Sequence, residues 1–110
     1  MSQSQTLPSV SQLNARLAQN ASRVRQFADN LIEQTDQLVE ASIQEDWTEV
    51  GRLSEYIARG SEMFGNPDVA KQAWNVIHQL QQPENVTGVR RGIVRLLGAC
   101  GRTSFVESEN

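Results

Sequence analysis

The chain is poor in the residues that carry chemistry. Its 110 residues include one cysteine, Cys100, and one histidine, His78. A lone thiol excludes an internal disulfide and a thiolate zinc cluster, and Cys100 is expected to pack as a small apolar residue. There is no CxxC, no HExxH, no glycine-rich phosphate loop and no serine-centred elbow, so neither hydrolysis nor metal chemistry has a framework. Glu40 lies near Glu45 and Asp46 in sequence, but a solvated helix end and an N-cap account for these carboxylates. No enzymatic activity and no cofactor are expected. Long hydrophobic runs are missing as well: nothing approaches the roughly 20 apolar residues that span a bilayer. The opening MSQSQTLPS has no basic start leading into an apolar run, so a cytoplasmic protein without a membrane role is expected. Positive charge is scarce, and a formal charge of -3 with a pI near 5.1 argues against nucleic acid as a partner. Three prolines and seven glycines are too few to prevent folding.

What is present is helical periodicity. Val10, Leu17, Val24, Leu31 and Leu38 recur every seven residues, with Leu13, Ala21, Phe27 and Ala28 between them, which predicts an apolar stripe along a helix and assigns that stripe to a bundle core. Asn20-Ala21-Ser22 offers a cap inside this stretch, so residues 9–44 form either one long helix or a short helix followed by a longer one. Asp46 is a natural N-cap, with Glu49 in the capping-box position, for a second helix that buries Val50, Leu53, Ile57 and Phe64. Gly65 ends it. Asn66 and Pro67 suit the cap and first position of a third helix, burying Val69, Ala70, Ala73, Trp74, Ile77 and Leu80. Gln82-Pro83 breaks that helix, and a fourth begins near Asn85 with Val86, Val89, Ile93, Leu96, Leu97 and Cys100 at helical spacing. Gly88, Gly92 and Gly98 weaken the fourth helix unless close packing uses their missing side chains. No strand pattern or repeat competes. The expectation is a single all-α domain, an antiparallel four-helix bundle over residues 9–102, with residues 1–8 and 103–110 as flexible ends.

The order long helix, Asp46-Trp47 cap, amphipathic helix with Gly60 and Ser61 near its end, Phe64-Gly65 stop and a further helix ending near Leu80 resembles the histidine-containing phosphotransfer (Hpt) domain. The resemblance covers about Phe27 to Leu80, and Leu53 and Ile57 also carry it. It implies a four-helix bundle of two-component phosphorelay signalling that meets receiver domains. Laid on the family motif without a gap, Leu53 and Ile57 match its apolar positions and Ser54 its small one. Glu55 then occupies the place of the phosphoacceptor histidine and Ala58 that of the lysine. A one-residue deletion instead puts Tyr56 at the acceptor position and Arg59 at the lysine position. Neither register supplies an imidazole, so relay chemistry loses its nucleophile.

The resemblance therefore implies a module that binds a response-regulator receiver domain or a histidine-kinase component without passing phosphate. Arg52, Leu53, Ser54, Glu55, Tyr56, Arg59 and Glu62 are its expected contact residues. A simpler role for Arg52, Glu55 and Arg59 is an ion-pair ladder at spacings of three and four. Two other functions remain open. The first or fourth helix can pair with a second copy of the chain, giving an assembly module with no relay role. Alternatively His78, at the edge of the third helix's apolar face, acts as an unusual phosphoacceptor. Trp47 and Trp74 are expected as core or rim anchors. Arg90, Arg91, Arg95 and Arg102 form a basic strip on the fourth helix that meets an acidic partner or balances Glu33, Asp36 and Glu40 on a neighbouring helix.

Overall fold

The computed structural model describes residues 9–82 and 84–102, and the two expected flexible ends lie outside them. Four helices account for nearly all of this: α1 (Val10–Ile43), α2 (Trp47–Met63), α3 (Pro67–Leu80) and α4 (Val86–Arg102). Short connections turn each helix back on the one before it, giving the all-α four-helix bundle that the periodicity implies.

Local chemistry explains the boundaries. α1 is one continuous helix, opened by a capping box in which Ser9 accepts from Gln12 N and Gln12 Oε1 accepts from Ser9 N. The internal cap at residues 20–22 is not used, because a helix already in register gains nothing by breaking there. α1 closes through Glu45, whose φ of 59° lets the Asp46 N–H reach Ala41 O at 2.9 Å. Asp46 then caps α2 by accepting from Glu49 N at 3.2 Å. The Glu49 side chain does not complete a box, because Arg52 holds it instead. Gly65 adopts φ 79°, Asn66 accepts from Val69 N at 3.3 Å and Pro67 opens α3. Asn85 accepts from Gly88 N at 3.2 Å at the start of α4.

The core joins Phe27, Leu31 and Leu38 of α1 to Val50, Leu53 and Ile57 of α2, Val69, Ala73 and Val76 of α3, and Val89, Ile93 and Leu96 of α4. Two glycines admit close approach. A side chain at Gly60 would overlap the Phe27 ring, and one at Gly92 would press on Val76 Cγ2 at 3.3 Å. Gly88 leaves room for the capping side chain of Asn85.

Two further sequence expectations need correction. On α3, Val76 is fully buried while Ile77 is only partly so, because α3 packs between α2 and α4 and its buried face is centred between two seams. On α1, Val24, Leu31 and Leu38 join the core, but Val10, Leu13 and Leu17 are 73%, 45% and 67% exposed. At about 1.5 Å per residue, α1 runs to roughly 50 Å and the other helices to about half that, so its first turns outrun the bundle. The long dimension of 63 Å records the overhang.

Candidate functional site

The outer face of α2 carries the residues that the sequence singled out. Every third or fourth position, Arg52, Glu55, Tyr56, Arg59, Glu62 and Met63, is exposed, whereas Val50, Leu53, Ser54, Ile57, Ala58 and Ser61 are buried. Two expected contact residues, Leu53 and Ser54, are therefore corrected: both are completely buried and carry the surface from beneath. Of the expected contact residues, Arg52, Glu55, Tyr56, Arg59 and Glu62 are at the surface.

Its electrostatics form two separate pairs rather than one ladder. Arg52 donates to both carboxylate oxygens of Glu49, at 2.8 and 2.6 Å. These hydrogen bonds hold the Glu49 carboxyl below the usual glutamate range and push the Arg52 guanidinium further up. Arg59 Nε donates to Glu55 Oε2 at 2.8 Å. Both pairs are well exposed and add little to stability, so they set the pattern of charge on the face more than they hold the fold.

Neighbouring helices frame this face. On the α1 side, the Tyr56 ring lies 6.2 Å from Phe27, which also packs 5.3 Å from Phe64. On the α3 side, Trp74 Nε1 donates to Glu62 Oε2 at 2.9 Å, and the Arg59 guanidinium lies 5.5 Å from the centre of the Trp74 ring. Trp74 thus fixes two residues of the α2 surface from across the hairpin. Sequence reasoning gave it only an anchoring role, since no spacing rule links positions twelve apart on different helices. Trp47 is a rim anchor too, with Arg90 5.8 Å above its ring.

Family models, curated proteins and solved structures give no match to this chain.

Leu53 and Ile57, the apolar positions of the ungapped register, are fully buried, and Glu55 stands outward between them with its side chain half exposed. Ala58, in the lysine place of that register, is buried and carries no charge, so Arg59 is the cation that reaches Glu55. His78 is exposed in the last turn of α3, off the α2 face and further from the core than expected. Cys100 is partly buried, and burial pushes its thiol up to about 11, which disfavours the thiolate near neutrality. No group of three or more metal-ligating side chains occurs among the described residues, and no described helix is long and apolar enough to cross a membrane. The α4 arginines do not balance Glu33, Asp36 and Glu40. Arg90 reaches Ser42 O and Glu45 instead, each at 3.4 Å, and Arg102 lies 3.8 Å from Asp68.

Proposed function

We propose that the protein is an Hpt-like binding module of two-component phosphorelay signalling, which docks a response-regulator receiver domain or a histidine-kinase component through the outer face of α2 and passes no phosphate. One observation supports this most: Glu55 projects at the centre of an exposed helix face, between core positions Leu53 and Ile57, held by Arg59 and framed by Tyr56 and Trp74. A carboxylate there presents fixed negative charge where the family presents imidazole. It remains attached to an aromatic and polar surface of the kind that recognition uses.

The test is titration of the purified protein against isolated receiver domains and kinase fragments of the same cell, in magnesium-containing buffer. Binding is expected, and Glu55→Lys and Arg59→Glu should each weaken it at least tenfold while leaving the helical circular dichroism unchanged. Equal affinity in both variants would remove the site assignment, and failure to bind any such domain would remove the reading. Phosphotransfer through His78 is tested beside it: incubation with a phosphorylated receiver should leave no acid-labile phosphate on the chain. Label that disappears in His78→Gln would restore that alternative.

A further inference from the structure

A second surface lies between α1 and α4, where the two helices touch least. A groove of about 390 Å³ opens there, and its apolar lining is Val39, Ile43, Ile93, Val94 and Leu97. Two of these, Ile43 and Val94, are side chains that a monomer leaves largely in water, 68% and 66% exposed, and Ile32, about three turns back from Ile43 along α1, is 67% exposed. Ile32 and Ile43 belong with Val10 and Ala21 to a series of eleven-residue spacing, which keeps one line along a straight helix. This line is distinct from the buried row of Phe27, Leu31 and Leu38. It reaches the overhang at Val10, which is exposed.

The two rims of the groove are oppositely charged. Along α1, Glu33, Asp36 and Glu40 follow at spacings of three and four on the flank of the apolar line away from α4, and all are exposed. Along α4, Arg91 and Arg95 are exposed beside Val94. Within the chain no ion pair joins these two sets among the described residues. An occupant must therefore bring an apolar row with positive charge on one side and negative charge on the other. The same face of a second copy has that pattern.

We infer that the protein forms a symmetric dimer in which the α1/α4 faces of two copies pack together about a two-fold axis parallel to the helices. Charge selects this axis. Rotation about a line along the helices sets the acidic rim of each α1 against the basic rim of the other copy's α4, whereas a perpendicular two-fold sets acid on acid. Heights agree as well. Arg90 meets Ser42 and Glu45 and α4 runs antiparallel to α1, so at equal rise per residue Arg91 and Arg95 stand near the levels of Glu40 and Asp36. A parallel axis keeps those levels in register between copies. It also sends both overhangs past the same end of the dimer. The outer face of α2 stays uncovered, so this inference does not depend on the proposed docking function.

Sedimentation equilibrium of the full-length protein, at concentrations from about 1 to 100 µM, tests it. A dimer is expected, with Val94→Glu raising the dissociation constant at least tenfold. Asp36→Arg and Arg95→Glu should each weaken the dimer several-fold, and the double variant should recover most of the loss. Circular dichroism of each variant separates misfolding from lost association. A monomer throughout the range would overturn the inference. So would a dimer that neither charge variant weakens, or a monomer that binds anionic phospholipid vesicles through α1.

Discussion

At the scale of single residues, the effect of a substitution depends on what lies over the position rather than on helix propensity. Alanine is the better helix former, yet Gly60→Ala should destabilise the fold by about 1 to 3 kcal/mol, because the new methyl overlaps the Phe27 ring wedged against Tyr56 and Phe64. Urea unfolding measures it. The opposite sign is expected at Ser54, whose hydroxyl is fully buried and has no hydrogen-bond partner. Ser54→Ala removes an unsatisfied polar group at almost no change of shape and should stabilise by up to about 1 kcal/mol. Cys100 supplies a pH test. Burial raises the folded thiol to about 11, so the folded state keeps its proton longer than the unfolded chain does. Stability is complete below the ordinary thiol range and falls as pH rises from there towards 11. Iodoacetamide should accordingly label native Cys100 slowly at pH 8 and quickly in denaturant, and equal rates would contradict the burial.

At the scale of elements, the caps and the overhang carry the predictions. The turn from α2 to α3 needs the left-handed backbone at Gly65, where φ is 79°. Nothing crowds that position, so the cost of Gly65→Ala is purely conformational, about 1 kcal/mol, read as a lower melting temperature. The first turns of α1 present the reverse case. Val10, Leu13 and Leu17 are exposed in the monomer, so removing residues 1–18 should change the unfolding free energy of a monomeric sample by less than about 1 kcal/mol. Cooperative loss of the whole bundle would instead mean that the overhang is part of the folding unit.

For the whole molecule, the structure offers two faces on different sides. One is the polar, aromatic-edged surface of α2, and the other is the apolar groove of α1 and α4 with its two charged rims. If the second face joins two copies and the first binds a receiver as proposed, each dimer presents two docking faces, and receivers displayed together should be held longer than a single one. Surface-bound receivers at high and low density measure this. Slower dissociation at high density is expected for the wild type and should vanish in Val94→Glu.

Much of this was legible in the sequence. Asp46, Asn66, Pro67 and Gly65 mark helix boundaries by local chemistry that acts within a few residues, and seven-residue spacing marks Leu31 and Leu38 as core. Exposure of Glu55, Arg59 and Glu62 on one face also follows from periodicity. Periodicity cannot tell how far a neighbouring helix extends, however, and so Val10 and Leu17 share the pattern of Leu31 and Leu38 but remain in solvent. Nor does it say which of two adjacent residues a seam selects, as Val76 over Ile77 shows. The tertiary structure alone decided that Trp74 steadies Glu62 and Arg59, and that Arg90 turns to Glu45 and not to the α1 acids. Those are contacts between segments distant in sequence, fixed by how the helices cross and how deeply they pack, and spacing along a single chain carries neither.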